Sequence, residues 1–584
     1  MKIRDNSKLR SEVLKHALIN AISHKGKALA KPVLGKVLSE KPEYKTRIQE
    51  VKSAVEEIVE EVNKLSLDSQ KKMLKELGIK EVEKPKVEER KGLLPPLPNV
   101  DKYEKIVTRF SPNPDCVLHL GSARAIILCY EYAKMYGGLF YLRFEDTDPR
   151  LKKSALQFYD SIREDLLWLG CPWDAEFIQS DRIPIYYEYA EKLIKKGDAY
   201  VCTCKPEDFR RLVGSKRPCP CRDISAEESF SRWLGMLNGE YGEGEAVVRI
   251  KTDLEHPNPA VRDWPALRII DTKKYPHPRV GDKYRVWPLY NFACGIDDHL
   301  LGVTHIIRGK EHLTNQVRQM YLYRHLGWEY PEAIHYGRLK IVDAVLSKSK
   351  IVKGIREGLY RDWSDPRLAT LVALRRRGIT PEAIRQMILN IGPKTVDITL
   401  SWENLYAYNR KILDPRANRY FFIDNPKRLR VYGVPGRFEA KIPLHPDDPD
   451  RGYRRFEVKP KDRIVELWVS GRDMAGFKEG LEVRLKGLFN IKIEELSSGK
   501  IEAQYTTREY EYAKERKLQL IHWLPHNTGV ATTVIMPDAS EIKGLSEELC
   551  AELKPDDIVQ FERFGFVRID RVEKDSLICY YAHR

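Results

Sequence analysis

The chain is poor in cysteine and methionine, with ten and eight among 584 residues. So few cysteines exclude a disulfide framework as the basis of its stability. Nowhere do roughly 18 apolar residues run together, which excludes a conventional membrane helix. The opening stretch MKIRDNSKLRSEVLKHALINAISHKG carries a charge every few residues and lacks the apolar centre of a secretory signal, so a cytoplasmic protein is expected. Internal repeats and low-complexity tracts are missing too, which sets repeat architectures aside.

What the chain does have is charge. Lys plus Arg number 101 against 85 Asp plus Glu, a net +16. Spread among so many acidic residues, this excess suits a large polyanion rather than a basic tail, although abundant charge also fits a heat-adapted surface. The length implies roughly three to five domains of about 100–200 residues.

Residues 1–82 read as a helical domain, with Ile48, Val51, Val55, Ile58, Val62 and Leu65 recurring at helical spacing. A charged run and a proline cluster then mark 83–99 as an extended linker. From 100 to 199, alternating strands (105–110 and 139–144) and helices (120–136 and 153–169) predict half of a parallel α/β sheet with crossovers. Residues 200–290, dense in Cys, Pro and Trp, read as an insertion, and the α/β pattern resumes over 291–345. Residues 346–420 hold a Ser/Lys loop and helices, and 421–584 switches to short alternating segments expected of one or two β-barrels.

Three clusters carry chemistry. Arg109-Phe-Ser111-Pro-Asn113-Pro leads through a turn to a helix opening at His119-Leu-Gly121-Ser122. There, free backbone N–H groups, a glycine and a histidine can meet phosphate. Ser347-Lys348-Ser349-Lys350 can neutralise the charge growing on a departing pyrophosphate. Cys202-x-Cys204 and Cys219-x-Cys221 each present two sulfurs on one face of an extended chain, together a closed tetrahedral set suited to structural Zn²⁺. Free buried thiols are the alternative.

The first two clusters resemble the HIGH and KMSKS signatures of class I aminoacyl-tRNA synthetases. Leu142-Arg-Phe-Glu145-Asp-Thr-Asp148-Pro, Pro288-Leu-Tyr290-Asn-Phe-Ala-Cys294-Gly-Ile-Asp297-Asp298, Gly302-Val-Thr-His-Ile-Ile-Arg308-Gly-Lys-Glu311 and Trp363-Ser-Asp-Pro-Arg367 narrow the resemblance to the glutamyl/glutaminyl branch, over about 100–584, in its archaeal type. That resemblance implies a multidomain α/β protein. It would have a Rossmann-type catalytic domain with a zinc-bearing, acceptor-stem-binding insertion, a helical N-terminal appendage, a helical connector and β-barrel anticodon-binding domains.

It implies that His119, Gly121, Ser347 and Lys348 serve ATP, brought with Mg²⁺, with His119 and Lys348 catalytic. Arg109, Ser111, Glu145, Tyr290 and Arg308 would hold glutamate: Glu145 its amino group, Arg109 and Tyr290 its side-chain terminus. Arg308 separates the two specificities, since an Arg fork pairs with a γ-carboxylate and glutamine offers it an NH₂; a structural ion pair of Arg308 with Asp297, Asp298 or Glu311 is the alternative. Departures are Ser122 for the second His of HIGH, Cys116 for a usual Gly and Val345 for the first Lys of KMSKS.

In the β region, Arg451, Tyr453, Arg454, Arg455, Phe561, Arg563, Phe564, Phe566 and Arg568 mix rings with guanidinium groups that can stack on and read unstacked anticodon bases; core packing is the other use of such rings. The expected activity is ligation of glutamate to tRNA(Glu) through glutamyl-adenylate, with tRNA(Gln) as a second substrate in non-discriminating relatives. The alternatives are a glutamine–tRNA ligase and a non-catalytic tRNA-binding paralogue.

Overall fold

The structure, a computed structural model, describes residues 2–23, 26–41, 44, 47–77, 94–345, 347–497 and 500–584. Two compact units divide the chain, Met1–Leu93 and Leu94–Arg584. Among the described residues no helix is long and apolar enough to cross a membrane.

The first unit packs four helices, α1 (Lys2–Ser23), α2 (Ala30–Glu40), α3 (Ile48–Asn63) and α4 (Leu67–Glu76). Val51, Val55, Ile58 and Val62 form the buried stripe of α3, whereas Ile48, at its first turn, is 47% exposed. The buried Gln70 amide donates to the backbone oxygens of Gly26 (3.0 Å), Val62 (2.8 Å) and Leu65 (3.2 Å), tying two connections together. Most of the linker expected over 83–99 lies outside the described residues. At its far end, Leu94 and Leu97 are buried in the core of the second unit.

The second unit is founded on parallel strands β1 (Val107–Phe110), β2 (Leu139–Phe144) and β3 (Ala175–Ile178), in that order. Helices α5 (Leu120–Met135) and α6 (Leu156–Trp168) make the crossovers. A second parallel pair, β4 (His305–Gly309) with β5 (Glu332–Tyr336), adjoins β1. Thr304, at the start of β4, gives its N–H to the Val107 carbonyl (3.0 Å) and its hydroxyl accepts the Val107 N–H (2.9 Å). The chain order therefore reverses between β1 and β4, and in open α/β sheets ligands bind beyond the strand ends at such a switch point.

The insertion carries an antiparallel four-stranded sheet, Ala199–Cys202, Val247–Ile250, Pro265–Ile269 and Val286–Pro288 in sequence order. Beyond the catalytic sheet, the region expected to be helical over 364–415 is interrupted. Ile398–Leu400 forms a strand parallel to Leu339–Ile341, between helices Pro381–Ile391 and Trp402–Leu413. Thr380 starts the first of these as its cap, accepting from Ala383 N–H. The buried Asn409 amide joins the layers: its Oδ1 accepts the Thr380 N–H (2.8 Å), and its Nδ2 lies 3.0 Å from both the Gly378 carbonyl and His583 Nε2 on the last strand.

Among the described residues, the remaining chain forms two barrel-like seven-stranded sheets with separate apolar cores and a two-stranded ribbon of Phe438–Pro443 with Tyr453–Val458. Here most of the residues expected to meet bases are structural. Phe561, Phe564 and Phe566 are core side chains, and Arg454, 1% exposed, joins Glu547 (2.9 Å) to Glu562 (2.6 Å). Arg563 is paired with Asp473, Arg568 with Asp556 and Asp570, and Arg451 with Asp448. Of that set Tyr453, Arg455 and Arg563 stand exposed. Removing one partner from a buried ion triad leaves bare charge in the interior. Arg454→Ala is expected to destabilise these sheets by about 3–5 kcal/mol, measured as a shift in the urea transition followed through the fluorescence of the buried Trp523.

Candidate active site

At the switch point, the sequence of the helix Tyr290–Leu300 decides what faces the strand ends. Tyr290, Cys294 and Asp298 recur every four residues and so share one face. Asp298 accepts from Arg109 through Nε (2.9 Å) and Nη2 (3.2 Å) and from Arg143 through Nη1 (2.8 Å). All three side chains are nearly inaccessible. Burial alone would raise the Asp298 carboxyl, but the two guanidinium groups outweigh it and hold it at about 2. Arg143 continues through Nη2 to Glu145 Oε1 (3.1 Å), which also receives the Cys294 thiol (3.0 Å). Burial, then the Glu145 charge, keeps that thiol protonated and therefore a donor.

Arg308 is arranged differently. Its Nη1 donates to Gln319 Oε1 (3.2 Å) and its Nη2 to the Tyr330 hydroxyl (3.0 Å), which itself donates to Gln319 Oε1 (2.8 Å). Among the described residues, no carboxylate pairs with Arg308. The expected alternative, an ion pair with Asp297, Asp298 or Glu311, does not form: Asp297 is taken by Arg182, Gln179 and Tyr186, and Asp298 by Arg109 and Arg143. Tyr290 faces Glu145, Cys294, Arg308 and Arg109, with its hydroxyl 3.3 Å from His312 Nδ1. Burial, reinforced by Arg308, brings His312 and His335 down to about 4, so both stay neutral. Ser111 Oγ, Asn113 Oδ1, Asn291 Oδ1 and Arg308 Nε are buried without hydrogen-bond partners, an unusual concentration of unmet polar atoms.

His119 caps helix α5. Its Nδ1 accepts the Ser122 N–H (3.2 Å), and burial lowers its pKa. An accepting Nδ1 on a neutral ring leaves the proton on Nε2, which becomes the free donor. Gly121 serves this ring: a Cβ there would sit 2.8 Å from His119 Cε1, so the glycine clears the imidazole rather than only admitting a ligand. Backbone bonds Leu120 N–H to Ala369 O (3.0 Å) and Leu371 N–H to Leu118 O (2.9 Å) fix the segment against the chain that follows the Ser/Lys loop. Lys348 opens the helix Lys348–Arg356 with Ser347 at its cap position, and Lys348 Nζ pairs with Asp115 (2.6 Å).

In the insertion the four thiols converge. Cys202 and Cys219 Sγ are 3.8 Å apart, Cys204 and Cys221 Sγ 3.7 Å, and all four lie within 4.8 Å of one another. Asp263 braces both arms, accepting from Tyr200 (2.8 Å) and Arg222 (2.9 Å).

The structure thus brings Arg109, Glu145, Tyr290 and Arg308 together, leaves Ser111 Oγ buried and unpartnered, and sets His119 and Gly121 at a helix start and the cysteines apart on the insertion. Sequence reasoning passed over Arg143 and Gln319. A lone arginine inside the apolar strand Leu139–Phe144 was the available signal for the first, since a buried charge needs a partner; nothing comparable marked Gln319.

Asp298→Asn leaves two buried guanidinium groups without their carboxylate, an expected loss of about 3–5 kcal/mol at neutral pH. Because the folded-state pKa is depressed, the Asp298 contribution is fully present above the unfolded value of about 4 and is lost as pH falls through about 2. The difference between the urea midpoints of wild type and variant should therefore shrink across that window.

Comparison with known proteins places the chain in a family. A family model described as tRNA synthetases class I (E and Q), catalytic domain, matches residues 105–415, and two anti-codon binding domain models of that description match 417–512 and 520–570. A glutamate–tRNA ligase of Pyrococcus furiosus is 56% identical, over 98% of this chain and 99% of that one. The ligase of that name from Thermococcus onnurineus is 55% identical over 98% and 99%, and that of Methanocaldococcus jannaschii 49% over 99% and 100%. A crystal structure of a glutamate tRNA ligase from Elizabethkingia meningosepticum overlaps 54% of this chain and 71% of its own, at 24% identity and a TM-score of 0.40. With its catalytic-domain model spanning more than half of the chain and relatives matching nearly all of it, the chain belongs to the class I tRNA synthetases of the glutamate and glutamine branch.

Proposed function

We propose that the chain is a glutamate–tRNA ligase. It would join ATP and L-glutamate into glutamyl-adenylate and transfer the glutamyl group to the 3′ end of tRNA(Glu). The observation that carries this reading is the charge of the crevice. Three guanidinium groups, of Arg109, Arg143 and Arg308, face two carboxylates, Asp298 and Glu145, and only Arg308 has no acidic partner. A substrate with one side-chain carboxylate completes that balance; glutamine, the alternative, leaves a buried cation uncompensated. A non-catalytic paralogue would have no use for the His119 and Lys348 arrangements.

In this reading Arg308, Arg109 Nη1 and Tyr290 receive the γ-carboxylate, and Glu145 receives the amino group. Ser111 Oγ, buried and unpartnered, would join them. The α-carboxylate attacks the α-phosphorus in line, the P–O bond to pyrophosphate breaks, and the acyl-adenylate remains. A terminal ribose hydroxyl of tRNA then attacks the acyl carbonyl and AMP departs with the bonding pair. The first step asks for positioning and charge neutralisation more than for a base. His119 Nε2–H and the α5 N-terminus meet the phosphates, with Gly121 clearing the ring, while Ser347 and Lys348 meet the pyrophosphate once Lys348 leaves Asp115. Mg²⁺ enters on the ATP phosphates and requires no all-protein cage.

The cysteine set fits Zn²⁺. Four sulfurs about 2.3 Å from one ion sit about 3.8 Å apart, the separation found for the two closest pairs. Cys202, Cys204, Cys219 and Cys221 would hold the ion with no position left open, so it would serve to keep the insertion rigid against the tRNA acceptor end, while the β sheets would read the anticodon. tRNA(Gln) is a proposed second substrate, and the cytoplasm, where tRNA is charged, the proposed compartment.

Charging of archaeal tRNA with labelled glutamate and, in parallel, glutamine tests the activity: glutamate on tRNA(Glu) is expected, and preferential glutamine charging would overturn the assignment. Arg308→Ala should raise the glutamate KM by about 10- to 150-fold, the worth of a charge-assisted hydrogen bond of about 1.5–3 kcal/mol. Elemental analysis of the purified protein should find one zinc per chain, with loss of the metal in Cys202→Ser and a lowered thermal midpoint.

A further inference from the structure

Arg308 stands out for how it is held. In the same site Arg109 and Arg143 are fixed by a carboxylate, that of Asp298. Arg308 is instead held by two neutral acceptors, and these are tied to each other. Gln319 is wholly buried on helix Leu313–Leu326. Both of its neighbours donate to it, and arginine can only donate, so its carbonyl oxygen must be the atom turned toward Arg308. Its Nε2 is buried without a partner, as is Arg308 Nε. Burial pushes the Tyr330 phenol up to about 12, so it too is neutral at physiological pH. The further ring neighbours, His312 and His335, are likewise uncharged.

We propose that Gln319, backed by Tyr330, is the positioning residue that sets amino-acid specificity: it fixes the Arg308 fork with a neutral oxygen, and so leaves its positive charge for the substrate's side chain. The inference rests on the glutamate reading given above. Glutamic acid at this position would match the shape of glutamine while supplying a carboxylate to Arg308 from within the protein, and the pocket would no longer need one from the substrate. The orphaned Nε2 makes this substitution undemanding, since no acceptor would face the new oxygen. An apolar residue of similar length would release Arg308 without cancelling its charge.

The test is tRNA charging by the full-length enzyme, with KM and kcat for glutamate and for glutamine measured in wild type, Gln319→Glu and Gln319→Met. Q319E is expected to raise the glutamate KM about tenfold or more. Its kcat at saturation should stay within about threefold, and its preference for glutamate over glutamine should narrow by the factor lost in KM. Q319M should raise KM less and keep the preference, because the charge survives. Equal behaviour of Q319E and Q319M would reduce Gln319 to packing and overturn the proposal, as would a wild-type KM and preference in Q319E. If Q319E melts early, Tyr330→Phe carries the test: it removes one tie to Arg308 at nearly constant volume, and its glutamate KM should rise several-fold at unchanged kcat. An unchanged KM there overturns the proposal. Wild type that prefers glutamine overturns the functional reading and the inference together, whereas a glutamate-charging wild type with an indifferent Q319E overturns the inference alone.

Discussion

The bridging of Arg109 and Arg143 by Asp298 is the constraint on which the site depends. It joins the ends of two parallel strands to one helix face in the interior, where a missing partner would leave bare charge. Because Arg143 passes from Asp298 to Glu145, the carboxylate assigned to the substrate amino group and the arginine assigned to its far end are oriented by one bidentate core. Distances between these two recognition points are thereby set by the strand spacing of the sheet, a rigid ruler, and not by loops.

Around this neutral core the protein uses two different supports for arginine. Arg454 is met by two carboxylates, Glu547 and Glu562, and Arg109 by that of Asp298. At Arg308 amide and phenol oxygens do the holding. The histidine at the helix start follows a similar economy: its Nδ1 is spent on the cap, which decides where the remaining proton points.

Much of this was legible in the sequence because each segment combined a local periodicity with a chemical motif. Strand, turn and helix around Arg109–Arg124 follow from apolar runs punctuated by proline and a histidine cap, and the Cys-x-Cys pairs announce their own convergence. The aromatic and basic residues of the β region were misleading, since Phe561, Phe564 and Arg454 have the alternation of a binding face and the burial of a core. Arg109 was assigned wholly to substrate because its bond to Asp298 spans 189 positions, a distance over which no local pattern speaks. The strand Ile398–Leu400 was hidden for the same reason: three residues between two helices form a strand only because Leu339–Ile341 offers an edge.

The node at Asn409 has a consequence in time. Its hydrogen-bonding neighbour His583 follows 174 positions later. At a synthesis rate of about 5–20 residues per second, the helix carrying Asn409 waits on the order of 10 to 35 s for the strand that completes its surroundings. Until then a buried amide and the helical layer over the catalytic sheet lack their outer cover, so a nascent chain can have a formed parallel sheet before it has a finished connector. Translation therefore closes the path between the two ends of the molecule last, and any pause within the final sheet prolongs the exposure of that layer to chaperones.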